Sequence, residues 1–295
     1  MNKIKRTEIL FLYDVQNANP NGDPMDENKP RIDEESGLNI VTDVRLKRTV
    51  RDYMFNYMGY NQEGVKDIFV RQTFVDNDPE KGINDGKERA KHYKNNPNLI
   101  LDACIDVRLF GGVIPLEKSS ITFTGPVQFK MGHSLHKVKL MYIKGTGAFA
   151  SKAGAHQQTF REEYILPYSL IAFYGIINEN AAVHTNLSQE DIEVLKEALW
   201  NGTKQLITRS KMEHCPRMLL MLEHSSSNLF IGELDKYIKL ISNLKDEEIR
   251  TVDDYQIDMK ELKNIIEKMG DNKPKIYFKP DPNLKLINMG ENIFI

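Results

Sequence analysis

Four basic residues, Arg45, Lys47, Arg48 and Arg51, recur at spacings that put them on one side of a helix. At about 100° per residue, Leu46, Val50, Tyr53, Met54 and Tyr57 share the opposite arc, the face expected to be buried. Only Asp52 interrupts the basic side. Guanidinium and ammonium groups in such a row suit phosphates, and arginine adds a bidentate fork that lysine lacks. The segment starts at Thr42-Asp43, two good N-cap types, so a helix N-terminus with free backbone N–H donors stands beside the same row. Side chains and helix dipole together read as a phosphate cradle.

A second concentration of charge lies further on. Between Glu117 and Glu162 there is no acidic residue, while Lys118, Lys130, Lys137, Lys139, Lys144, Lys152 and Arg161 are basic and His133, His136 and His156 are present. Polyanion binding disfavours carboxylates as much as it favours lysines, so this stretch reads as a phosphate-facing surface. The net charge of −2 is thus a difference between a basic stretch and a more acidic remainder. It excludes a uniformly basic nucleic-acid coat and nothing narrower.

Catalytic signals are sparse. No phosphate-binding GxxxxGK[ST] motif occurs, and Gly145-x-Gly147 does not sit between a strand and a helix. His133 and His136 have ligand-like spacing but no cysteine or acid partner near them in sequence. Asp23, Asp26 and Asp33, in an asparagine-rich segment, are the acids that could hold a divalent metal beside a nucleic acid. No nucleophile–base pair stands out. The expectation is a protein that is not an enzyme, with no catalytic residue, no metal and no cofactor. Cys104 and Cys215 read as two reduced thiols.

These groups need elements to hold them. A first strand is expected over Glu8–Val15, ending in Gln16-Asn17-Ala18-Asn19-Pro20-Asn21-Gly22-Asp23-Pro24, where asparagine, proline and glycine enforce a loop. The basic helix runs from Thr42 or Asp43 to about Tyr57. Residues 59–100, rich in Asp-Pro, Asn-Pro and glycine, read as an insertion of polar loops and short helices. The core returns as strand-like runs at Ile105–Phe110, closed by Gly111-Gly112, at Ile121–Thr124 and at Val127–Phe129. Val138–Ile143 and Glu163–Leu166 read as strands flanking a small-residue segment, which makes 131–162 a long protruding hairpin. Ser188 and Asp191 form a capping box for the next helix, with Ile192, Leu195, Leu199 and Leu206 on one face. A strand at Met218–Glu223 follows, then two charged helical segments at about 233–244 and 258–269.

With 295 residues, 40% of them apolar, and mean hydropathy −0.48, the chain is an ordinary globular protein with ample core. Its apolar runs are too short to span a bilayer, so no membrane partner is expected and a cytoplasmic location is. The order strand–helix–strands–helix–strand with large insertions fits an α+β sheet domain of ferredoxin-like or RRM type.

Several segments together resemble a known family. Asn17-Ala18-Asn19-Pro20-Asn21-Gly22-Asp23-Pro24, Pro30-Arg31-Ile32-Asp33 and Val41-Thr42-Asp43-Val44-Arg45-Leu46-Lys47-Arg48-Thr49-Val50-Arg51 are similar to the N-terminal signature of the type I CRISPR Cascade backbone subunit, of the RAMP superfamily. The resemblance is to the Csh/Csd type, most like subtype I-B and close to I-C. Asp106–Gly112, Thr124–Phe129, Leu166-Pro167-Tyr168 and Thr208-Arg209-Ser210-Lys211 resemble further blocks, so the similarity spans about residues 8–224.

That resemblance implies a hand-shaped fold. The RRM-like palm would comprise 1–58 and 101–230, the finger insertion 59–100, the thumb hairpin 131–162, and 231–295 a C-terminal helical extension. It implies copies stacked head-to-tail along a CRISPR RNA that is presented to target DNA, beside a handle-binding subunit, a large PAM-reading subunit and a small subunit. Thr42, Lys47, Arg48 and Arg51 fall on the family's RNA-backbone contacts, and Arg45 stands where relatives can carry a smaller polar residue. Arg31, Gly111, Gly112, Arg209 and Lys211 belong to the matching blocks and join the RNA-binding candidates. At the thumb, Phe149 would wedge between bases while Lys144 and Lys152 hold phosphates. Type III relatives cut RNA with a loop aspartate, which leaves Asp23, Asp26 or Asp33 as a rival, metal-dependent reading. A monomeric RNA-binding module is the other.

Overall fold

In the computed structural model, residues 3–116, 119–150 and 158–290 are described, with no side-chain description at 77, 146–150 and 158–161. The chain opens with β1 (Thr7–Ala18), buried at every position from Thr7 to Val15. A short ribbon of β2 (Gly22–Asp23) and β3 (Lys29–Pro30) follows, then β4 (Leu38–Val41) and the helix α1 (Asp43–Tyr57). The next region holds α2 (Gly86–Lys91) and α3 (Pro97–Ala103), then α4 (Ile105–Phe110), which passes directly into β5 (Gly111–Pro115). After β6 (Ser120–Thr124) come β7 (Val127–Phe129), β8 (Gly132–Lys137), β9 (Met141–Ala150) and the long β10 (Gln158–Ile177). Helices α5 (Glu179–Thr185) and α6 (Gln189–Lys204) lead to β11 (His214–Glu223). The remainder contains β12 (Lys239–Ile241), β13 (Gln256–Asp258), α7 (Lys260–Lys268), β14 (Lys275–Pro280) and β15 (Leu286–Ile287).

Among the described residues the principal sheet has eight strands, in the order β14-β11-β1-β10-β8-β4, with β7 and β9 also paired to β10. All its pairings are antiparallel, and Phe11 lies opposite Phe173 on one side and Leu219 on the other. The central strands are apolar at successive positions rather than alternately, which requires cover on both faces. On one face Ile9, Phe11, Tyr13, Phe173 and Leu219 meet Leu46, Val50 and Met54 of α1 and Leu195 and Leu199 of α6. On the other, Leu10, Leu12, Leu170, Leu220 and Leu222 meet Leu234, Ile249, Tyr255, Ile257, Leu262 and Ile266. A separate small core under residues 69–114 is built from Phe69, Tyr93, Ile100, Cys104 and Ile114.

Several expectations change. Ile105–Phe110 is a helix, not a strand: a six-residue apolar run has no periodicity of its own to decide the matter. The expected strand Val138–Ile143 is split, since β8 ends at Lys137 and β9 starts at Met141. The described part of the expected helical extension, residues 231–290, is mostly not helical. Among the described residues there only Lys260–Lys268 is α-helical, the 233–244 segment holds a 3-10 turn and β12, and β14 joins the principal sheet beside β11. On α1, Tyr57 is 57% exposed, while Thr49 is buried with Leu46, Val50 and Met54. Both cysteines are free thiols.

Candidate nucleic-acid interface

The end of the sheet where β1 stops gathers most of the basic candidates. Thr42 caps α1 in an extended conformation, its hydroxyl accepting from Arg45 N at 3.3 Å. Asn21 fixes the cap from the loop side, because its Oδ1 accepts from both Thr42 N and Thr42 Oγ1 at 2.9 Å. Deeper, Asn39 is fully buried and donates through Nδ2 to Arg31 O at 2.8 Å, while Ser169 Oγ donates to Asn39 Oδ1 at 3.2 Å. That buried polar knot sets the path of the loop carrying Arg31, whose guanidinium pairs with Asp23.

The second loop at this end is locked to the first. Asn19 N donates to Ser210 O at 2.7 Å, and Lys211 Nζ donates to Asn19 O at 2.8 Å. Arg209 is 57% exposed at its side chain and reaches Glu163 on β10 at 2.7 Å. Tyr164, also on β10, donates to Glu27 at 2.8 Å and carries Lys29 over its ring at 5.1 Å. Asn19, Glu27 and Asn28, Thr208–Ser210 and the base of the β9–β10 hairpin therefore line one cavity of about 380 Å³.

The row on α1 is not a uniform solvated stripe. Arg48 stands out at 63% side-chain exposure, paired with Asp52 at 2.6 Å. Lys47 is 12% exposed, bonded to Asp43 at 3.0 Å and to Gln128 at 3.3 Å. Arg51 is equally sheltered: its Nε donates to Asp106 at 2.9 Å and its guanidinium lies 5.1 Å from the Phe110 ring. Arg45 turns inward and donates to Thr49 Oγ1 at 3.0 Å. Burial lowers the Arg45 pKa, offset in part by Tyr13 and Asp52.

Gly111 has φ +66, and a Cβ there would lie 2.1 Å from Phe123 O, so the close pairing of β5 with β6 requires glycine. Gly112 has open space around it. Lys144 is exposed on β9, 3.8 Å from Glu162. Phe149 lies in β9 with its side chain outside the described residues, as is Lys152 altogether.

The candidate metal ligands do not converge. Asp23 pairs with Arg31, Asp26 with Lys29 at 2.7 Å, and Asp33 accepts from Ser36 within its own turn. His136 is buried and accepts from Leu170 N through Nε2 at 3.3 Å, and burial lowers its pKa. Among the described residues no group of three or more His, Cys, Asp or Glu is placed to hold a metal ion. None of the helices among them is long and apolar enough to cross a membrane.

Two buried networks carried no sequence signal, because their members are isolated polar residues inside apolar strands. Glu8, fully buried at the far end of β1, accepts from Ile231 N, Gly232 N, Tyr174 Oη and His224 Nε2, all at 2.7–2.8 Å. Burial opposes its charge, yet these donors hold its carboxyl below the usual range. Asp14 is raised by burial, and it accepts from Tyr168 and from Arg217 Nε at 2.7 Å.

A family model described as CRISPR-associated protein Cas7 matches residues 5–260. A CRISPR-associated protein Cas7 from Haloferax volcanii is 31% identical over 314 residues, covering 97% of this chain and 90% of that one. A chain of a solved "CRISPR RNA-guided surveillance complex, pre-nicking" shares the fold at TM-score 0.55 and 11% identity, covering 95% of each chain. A chain of a second "CRISPR RNA-guided surveillance complex" does so at TM-score 0.51 and 13% identity, over 96% of this chain and 94% of that one.

Proposed function

The chain belongs to the Cas7 family of CRISPR-associated proteins, and from that premise we propose that it is the CRISPR RNA-binding backbone subunit of a type I Cascade complex. The observation that carries this reading is the pairing of a fully covered sheet with a cationic loop end. An RRM that reads bases does so with aromatic side chains on an open sheet face. Here Phe11 and Tyr13 are buried and both faces are packed, which leaves the loops at 19–31 and 208–211 and the start of α1 at 42–48 to grip RNA. Loops bearing Arg, Lys and backbone donors suit phosphates and leave base edges free, as a guide of arbitrary sequence requires.

The strand order β11-β1-β10-β8 with α1 and α6 on one face supports the RRM-like palm. In the same reading 59–100 is the finger insertion and the β9–β10 hairpin the thumb. Copies stack head-to-tail along the guide, a heterologous contact that grows a filament instead of closing a ring. Target DNA meets the complex through the guide, and the other Cascade subunits flank the filament. The subunit itself is non-catalytic, since Asp23, Asp26 and Asp33 are each engaged within their own loop.

The test is mass analysis of nucleic acid that co-purifies with the protein, with light scattering on added RNAs of increasing length. Discrete RNAs and an assembly mass that grows with RNA length are expected. A persistent 1:1 complex would favour a monomeric RNA-binding module. Metal-dependent RNA cleavage that vanishes on changing one of Asp23, Asp26 or Asp33 to alanine would replace the structural reading with an enzymatic one.

A further inference from the structure

The cavity between the two locked loops and the base of the β9–β10 hairpin is lined by three carboxylates, Glu27, Glu162 and Glu163, and by the guanidinium of Arg209. Carboxylates beside a polyanion cost affinity, so their place at the end of the sheet that gathers the RNA-binding candidates needs a reason. Each is tied to a neighbour. Glu27 accepts from Tyr164 Oη at 2.8 Å, Glu162 lies 3.8 Å from Lys144, and Glu163 accepts from Arg209 at 2.7 Å. Lys29, Lys47 and Arg48 pair with acids three or four positions away, Asp26, Asp43 and Asp52. Arg209 and Glu163, by contrast, are forty-six positions apart, and their contact ties the loop before β11 to β10. Glu163 is 18% exposed at its side chain while Arg209 is 57% exposed, so a sheltered carboxylate holds a guanidinium that is largely open to solvent.

We propose that Glu163 is an intramolecular competitor for Arg209: it occupies the guanidinium in the free chain, and an RNA phosphate engages Arg209 only against that carboxylate. The competition rests on the RNA-binding reading and adds to it what limits binding at the same cleft. A phosphate at Arg209 meets one anion already bonded to the guanidinium and two more, Glu27 and Glu162, on the cavity wall. Either Glu163 gives up its hydrogen bond or two anions share one cation, and both lower the affinity. A single copy then holds arbitrary RNA weakly, and firm binding needs the summed contacts of several copies on one strand. That sets a threshold against coating unrelated RNA, whose backbone offers the same phosphates.

Two other uses of this carboxylate predict different signs. A Glu163 that accepted from a ribose 2′-hydroxyl would help binding, and its removal would weaken RNA. A Glu163 acting only through its field would penalise RNA whether or not Arg209 is present. Competition is what the geometry supports, because Oε2 of Glu163 is bonded to Nη2 of Arg209. The sign of the Glu163 effect, and its dependence on Arg209, separate the three.

The experiment uses the full-length protein freed of nucleic acid and one single-stranded RNA of arbitrary sequence at fixed salt. Affinity is measured for the wild type, Glu163→Gln, Arg209→Ala and the double variant. Glu163→Gln should bind about two- to fivefold more tightly, the worth of a partly exposed ion pair. Arg209→Ala should bind more weakly, and adding Glu163→Gln to it should change nothing further. Glutamine matches glutamate in shape, and Glu163→Ala should shift affinity in the same direction; cooperative urea unfolding of each variant shows that the fold is kept. Weaker or unchanged binding by both Glu163 variants would overturn the competition, as would an equal gain with and without Arg209. RNA binding absent from every protein, wild type included, would instead remove the RNA-binding reading and the competition with it.

Discussion

Arg51 on the first helix and Asp106, fifty-five positions later on α4, form a sheltered ion pair at 2.9 Å. The same carboxylate accepts from Phe69 N at 2.7 Å and Val70 N at 3.0 Å. One charged contact thus joins α1, α4 and the start of the inserted region. A basic residue placed by spacing on a phosphate-facing row spends its charge inside the protein.

Arg51→Ala leaves a fully buried carboxylate unpaired, and the expected loss of stability is about 3 kcal/mol. Arg48→Ala, at an exposed position, should change stability by no more than about 0.5 kcal/mol. Urea unfolding of the two variants separates them; equal, small effects would mean that the Arg51–Asp106 pair contributes nothing to the fold.

Lys47→Ala combined with Arg48→Ala should weaken RNA binding equally for unrelated guide sequences, with the salt slope falling by about 0.7 for each lost single-strand phosphate contact. Affinities measured at several salt concentrations on two RNAs of different sequence provide the check. Selective loss on one sequence would show that these residues read bases.

The lowered pKa of Glu8 sets an acid limb. Its unfolded value is near 4.5 and its folded value lies below that, so the unfolded chain binds the extra proton. The stability this group contributes is complete above about pH 4.5 and is lost as pH falls through the folded value. Glu8→Gln should cost about 1–3 kcal/mol at neutral pH, the penalty for donors left poorly matched. It should also flatten the acid limb measured by denaturation between pH 3 and pH 5. A variant with the wild-type limb would place the acid sensitivity elsewhere.

Truncation after residue 230 should abolish soluble expression. It removes β14 from the edge of β11 and bares Leu10, Leu12, Leu220 and Leu222, each worth about 1.5–3 kcal/mol of burial. A soluble, cooperatively unfolding truncated protein would show that the sheet does not need this segment as cover.

Where local rules suffice, the sequence alone settles the structure. Thr42 caps α1 and Ser188 with Asp191 caps α6 because capping involves residues within one turn. The continuous apolar runs at Ile9–Leu12 and Met218–Leu222 announce buried strands, and the Asn-Pro-Asn-Gly segment announces the loop that bears Asn19 and Asn21. Family blocks led to the loops at 17–24 and 208–211, which the fold joins through Asn19, Ser210 and Lys211.

Tertiary structure decided the rest. An apolar run shows that a strand needs cover but does not say which residues supply it, and here the second cover is the C-terminal segment. Helical spacing gives the side of α1 that a charge occupies, while its partner is fixed by which distant element packs there. So Arg51 meets Asp106, Arg45 turns inward to Thr49, and Arg48 alone of the three arginines stays exposed. Periodicity is a property of neighbours along the chain, whereas the burial and pairing of a charge depend on neighbours in space.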